Sequence, residues 1–191
     1  MKPSSGSWGF ITFLAAISSS PAVAIPMDFD CDVPPNHFSS LQTDLAGPFE
    51  ISGKITATEL RSGKSLPVAG ARIFNDRDDT SVGFQLFAPS SRAKQFELLI
   101  NGTKSGDLKK YAVGRISVDA SISFRLILAE SGAARLEIGG DSFDIPADPI
   151  HSGKAMIFCS TGQFKIAALR FVGGELAAGA APRDQNSRVK E

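Results

Sequence analysis

The sequence predicts an all-β protein, a single antiparallel sandwich or barrel domain behind a signal peptide, and three observations carry that prediction. In Ile122-Ser123-Phe124-Arg125-Leu126-Ile127-Leu128 the large apolar residues recur at every second position, the period of a strand with one face in a core. Similar short apolar runs repeat along the chain, divided by Gly, Ser, Asp and Pro. No helical pattern of ordinary length interrupts them.

Taken in order, Lys2, an apolar segment from Trp8 to Ile17, and Ser18-Ser19-Ser20-Pro21 leading to Ala22-Val23-Ala24 have the order of a secretory signal, with cleavage expected after Ala24. The apolar segment is shorter than the roughly 20 residues a bilayer span needs, and no later segment qualifies, so no transmembrane anchor is expected. The expected location is secreted or periplasmic. Residues 25–48, with Pro26, Pro34, Pro35 and Pro48, read as an extended leader with a short turn of helix around Phe38 to Leu45. The domain proper is expected over 49–172.

Its first strand is Phe49 to Thr58, with Phe49, Ile51, Ile55 and Ala57 on one face. Strands follow at Val68 to Asn75, Val82 to Ala88 and Lys94 to Ile100. Asn101-Gly102 offers either a tight hairpin turn or, as the polar run continues, part of a loop through Lys110; the loop is preferred. Tyr111 to Val118 is the next strand, with Gly114 marking a bulge. From Ile122 the chain meanders through turns at Ser131-Gly132 and Gly139-Gly140-Asp141. Lys154 to Ser160, a turn at Thr161-Gly162, and Gln163 to Val172 complete the domain. In the last strand Phe164 and Ile166 share one phase, and Leu169 and Phe171 the other, so a bulge is expected near Ala167-Ala168. Residues 173–191 read as a disordered tail.

Composition excludes more than it selects. The 191 residues are 42% hydrophobic, enough for one domain with a sizeable core. Twenty basic and twenty acidic side chains cancel, and no cationic run suggests a nucleic-acid partner. Cys31 and Cys159 are the only cysteines. In an exported chain one pair is most simply a disulfide. The competing readings are a nucleophilic cysteine and a zinc site with His37 and His151, whose spacings fit no zinc motif.

The runs Phe124 to Leu128, Arg135-Leu136-Glu137-Ile138-Gly139-Gly140 and Ile157 to Ile166 resemble the closing strands of the concanavalin A-like lectin and glucanase sandwich, also seen in laminin-G-like domains. That resemblance implies a jelly-roll-type β-sandwich and, among functions, glycan binding or hydrolysis. Glucanases of this type carry a Glu-x-Asp-x-Glu arrangement on one strand. Here Glu97 stands alone, Glu137 is followed by Gly139 and Gly140, and Asp141 and Asp144 are out of phase. No catalytic residue is assigned.

Sugar stacking asks for Trp or Tyr platforms, but signal cleavage removes Trp8 and leaves Tyr111 alone. Phe84, Phe96, Phe124, Phe143, Phe164 and Phe171 fit a core. The metal candidate is the loop Asn75 to Thr80, where Asp76, Asp78 and Asp79 could offer oxygens to Ca²⁺, with Arg77 competing for them. Asn101-Gly102-Thr103 fits a glycosylation acceptor. The sequence therefore leads to a non-catalytic exported protein with a binding or envelope-structural role, its partner a protein or a glycan. A lectin-like module is the alternative and a glycoside hydrolase the least favoured reading. Function is expected on the loops Asn75 to Thr80 and Asn101 to Lys110.

Overall fold

The computed structural model describes residues 25–173 and the backbone of residues 183–188. The signal segment at 1–24, its cut after Ala24, and most of the tail lie outside the described residues. The elements in chain order are β1 (Met27–Ala46), β2 (Phe49–Leu60), β3 (Val68–Asn75), β4 (Ser81–Phe87), β5 (Gln95–Lys104), β6 (Asp107–Ser117), β7 (Ser121–Leu128), β8 (Ala134–Ile138), β9 (Asp141–Ile145), β10 (Ser152–Gly173) and β11 (Arg183–Arg188). Every ladder between them is antiparallel.

β10 organises the architecture. Along one edge it pairs with β1 over almost its whole length; along the other, its first half pairs with β3 and its second half with β2. β3-β4-β5-β6 hang from the first arm of this bent ribbon, and β2-β7-β8-β9 from the second. The two arms fold over each other, β4 against β8 and β5 against β9. The result is a curled antiparallel jelly-roll β-sandwich, the class the sequence predicts.

Between the two layers Phe84 of β4 meets Phe124 of β7 with ring centroids 5.2 Å apart, and Phe96 of β5 meets Phe164 of β10 at 6.3 Å. Those four rings and Phe171 are buried and Phe143 packs against them, as the alternation requires. Each fully buried ring contributes roughly 1.5–3 kcal/mol. Gly53 lies opposite Phe124, whose ring edge comes within 3.3 Å of where a Cβ would sit, so an aromatic fills the space the glycine leaves.

The expected bulge in the last strand is present. The β10–β2 register shifts between Ala167 and Arg170, and Ala168 takes φ 51°, a left-handed value unusual for a residue with a Cβ. The Gly139-Gly140 turn is present too, at φ 62° and 98°.

Four expectations differ from the structure. The leader over 25–48, with its turn of helix, is β1: Cys31 and Val33 point inward ahead of Pro34-Pro35, and Leu41 and Leu45 after it. The prolines cannot donate to a ladder, so they fall where the β1–β10 register breaks, between Val33 and Phe38, and this break hides the strand period. The turn at Thr161-Gly162 is a corner inside a continuous strand. Thr161 takes φ 52° there, and its Oγ1 accepts the backbone N–H of Asn36 from the facing bulge at 3.2 Å. The loop from Asn101 to Lys110 is absent: β5 continues to Lys104, and the hairpin turn is Ser105-Gly106, at φ 55° and 80°. Within the tail expected to be disordered, Arg183–Arg188 pairs with β1, between His37 and Gln42.

Candidate functional site

Cys31 and Cys159 form a disulfide, and no cysteine among the described residues is free, which removes the nucleophile and zinc readings. Cys31 faces Phe164 in the ladder whereas Cys159 faces Ser39, so the bridge crosses the bend of the ribbon, with Thr161-Gly162 between its ends. His37 and His151 sit apart from it, the His37 ring hydrogen-bonded to the Pro35 carbonyl at 2.9 Å.

The acidic loop joins β3 to β4, and its carboxylates serve three separate partners. Asp76 accepts the Ser152 hydroxyl at 3.0 Å. Asp78 pairs with Arg72 at 2.7 Å. Asp79 accepts the Asn75 carboxamide N–H at 2.6 Å, and that bond, with help from Thr80 and Arg77, holds its carboxyl below the ordinary range. No group of three His, Cys, Asp or Glu placed to hold a metal occurs among the described residues. The loop's contribution is positional, because Asp78 fixes Arg72, whose guanidinium also lies 5.0 Å over the Phe74 ring.

Arg72 points toward a pit in the outer face of the β3-β4-β5-β6 layer. Two glycines shape that face. A Cβ on Gly70 would run into the Phe84 carbonyl oxygen and one on Gly83 into that of Ala71, so only glycine fits against the neighbouring backbone at these two positions. The ring of Phe158, the ladder partner of Gly70, lies beside it, with Cζ 3.1 Å from the missing Cβ.

The pit is a cavity of about 220 Å³ lined by Arg72, Gln85, Asn101, Leu108, Lys110 and Phe158, together with Ser81. Asn101 is 7% exposed, yet its carboxamide has no hydrogen-bond partner among the described residues. No buried side-chain N or O among the described residues lacks a partner, so the Asn101 carboxamide is open to the pit. The Gln85 carboxamide is likewise unpartnered, and Lys110 forms no ion pair among the described residues. Two carboxamides, a hydroxyl, two cations and two apolar walls thus converge on one small volume. Such a lining can hydrogen-bond a polyhydroxylated unit while covering its C–H surface.

The position of Asn101 also answers the glycosylation expectation. The acceptor lies mid-strand and buried, and Thr103, 3% exposed, uses its Oγ1 to accept the Ser81 backbone N–H at 3.1 Å. It is not a surface loop sequon. Reading Asn101 as a turn residue is what hid the site. The available signal was alternation: Phe96, Leu98, Ile100 and Gly102 keep one phase, which places Asn101 and Thr103 together on the other face.

No protein-family model matches the sequence, and no curated protein sequence matches it. Solved structures that match in fold include the carbohydrate-binding module CBM66 from Bacillus subtilis, with a TM-score of 0.48 at 11% identity over 77% of this chain and 92% of that one. An alginate lyase from Alteromonas sp. 272 matches with a TM-score of 0.47 at 11% identity, over 81% and 90% of the two chains. The galectin LEC-6 from Caenorhabditis elegans matches at 0.44 and 11%, over 79% and 95%. All three are 11% identical to this chain with TM-scores below 0.5, and no function passes from them to it.

Proposed function

We propose that this protein is an exported, non-catalytic carbohydrate-binding module that seats a hydroxyl-rich unit of a glycan in the pit between Asn101, Gln85 and Phe158. The observation that carries the reading is the Asn101 carboxamide, which has no hydrogen-bond partner among the described residues and opens into the pit. A ligand hydroxyl that bonds this carboxamide adds a hydrogen bond worth about 0.5–1.5 kcal/mol. The lining supports binding over catalysis, since it combines carboxamides, a hydroxyl, cations and hydrocarbon and brings no carboxylate or imidazole to the bound unit. The disulfide fits an oxidising compartment, consistent with the secreted or periplasmic expectation. No helix among the described residues is long and apolar enough to cross a membrane.

The test is a glycan array probed with the full chain and with Asn101→Leu. Saturable binding to a glycan that is lost in the variant supports the reading. An array without saturable binding, or one equally positive with the variant, overturns it and favours a structural role in the envelope.

A further inference from the structure

A second concavity, of about 660 Å³, lies across the outer face of β2, β7 and β8, on the layer that does not carry the pit. We propose that this groove is a separate binding site for an anionic group on a polysaccharide, a carboxylate or a sulfate ester.

The strand registers build the site. Arg170, Ser52 and Arg125 are ladder partners in one row across β10, β2 and β7, about 4.8 Å per step. Lys54 and Ser123 form the next row of the same face, about 7 Å further along the strands. Three cations and two hydroxyls therefore share two adjacent rows, a spacing that can hold an oxyanion between charge-assisted donors.

The charges along the groove are unevenly committed. Arg125 is held between the flanking strands, by Glu50 of β2 at 2.8 Å and Glu137 of β8 at 3.4 Å, so both carboxylates are already engaged by that guanidinium. Arg135 donates to the Ser142 hydroxyl at 2.7 Å and lies 3.9 Å from the largely exposed Asp144. Lys54 and Arg170 form no ion pair among the described residues. Asp141 lies at the far end, on β9, and Asp28 is spent on the Ala168 backbone N–H at 3.0 Å. The β2–β10 flank is thus the uncompensated cationic end.

Backbone conformation supplies an independent observation. Ala168, at φ 51°, lines the groove beside Arg170, and the Asp28 carboxylate holds it there. A left-handed alanine persists only where surrounding structure imposes it. The bulge it makes opens one end of the groove, and the Gly139-Gly140 turn lines the other.

The experiment titrates the full chain with dextran sulfate, with polygalacturonate and with uncharged dextran, at low and at physiological salt. The expected result is saturable binding of at least one polyanion and none of dextran through this face, with affinity falling as salt rises. K54Q/R170Q should weaken that binding about tenfold or more, through the loss of two charge-assisted contacts, without changing the melting temperature. Asn101→Leu should leave it intact, which separates this site from the pit. Sulfate and carboxylate sources are told apart by which polymer binds. The proposal is overturned if neither polyanion binds above dextran, if K54Q/R170Q binds like the parent, or if Asn101→Leu abolishes polyanion binding.

Discussion

Asn101→Leu should weaken binding while leaving stability nearly unchanged. The substitution nearly preserves side-chain shape while removing a carboxamide that is 7% exposed and unpartnered. No buried side-chain N or O among the described residues lacks a partner, so this carboxamide opens into the 220 Å³ pit, where water meets its demand. The expected change in stability is therefore small, within about 0.5 kcal/mol, or roughly 1–2 °C in Tm for a chain of this size. Binding of a glycan should weaken by the loss of two neutral hydrogen bonds, about 1–3 kcal/mol or roughly 5- to 150-fold. Urea unfolding with fixed m-value measures the first quantity and calorimetry the second. A variant that loses more than about 1 kcal/mol of stability would show that the amide is bonded within the protein and not free for a ligand, and the argument for the pit would fail with it.

Three further outcomes follow from the fold. C31A/C159A removes a bridge between residues 128 apart in sequence, which on the chain-entropy model costs about 5 kcal/mol; a loss below about 1 kcal/mol in urea unfolding would refute that account. Gly83→Ala pushes a Cβ against the Ala71 carbonyl and should destabilise by about 1–3 kcal/mol, whereas Gly114→Ala, with open space around its Cβ, should be neutral or gain about 0.5 kcal/mol; equal effects would contradict the close approach of the two strands as the cause. Asp79, depressed chiefly by the Asn75 hydrogen bond, contributes stability that is present above the ordinary carboxyl value of 3.8 and is lost as pH falls through its lower folded-state value. An NMR titration should place its midpoint below that in Asn75→Ala, and coincident midpoints would remove the hydrogen bond as the cause.

The parts of the fold that were legible share one property, a local signal that no distant contact overrides. The Ile122 to Leu128 alternation, the glycine turn at Gly139-Gly140 and the phase change around Ala167-Ala168 each appear in the structure where the residues put them. β1 was not legible because its break at Pro34-Pro35 is tolerated only by the matching corner at Thr161, over a hundred residues away. The site was hidden for a related reason. Asn101, Gln85 and Arg72 are polar residues on the outer face of a sheet, and in sequence Asn101 is indistinguishable from the polar turn residues that follow it. The Asp76 to Asp79 loop drew attention as a cation site, but its visible role is to hold Arg72 at the edge of the pit.

The place of β10 has a consequence for how the chain reaches this structure. The strand that joins β1, β2 and β3 is the last long one to be synthesised, so neither layer can be completed until residues up to Gly173 are available. Early segments must wait unpaired for a partner more than a hundred residues downstream, the regime in which loop closure slows folding and exposed strand edges invite aggregation. A chain truncated before Ser152 would lose the seam that both layers share. It should behave as an aggregating fragment, not as a smaller sandwich.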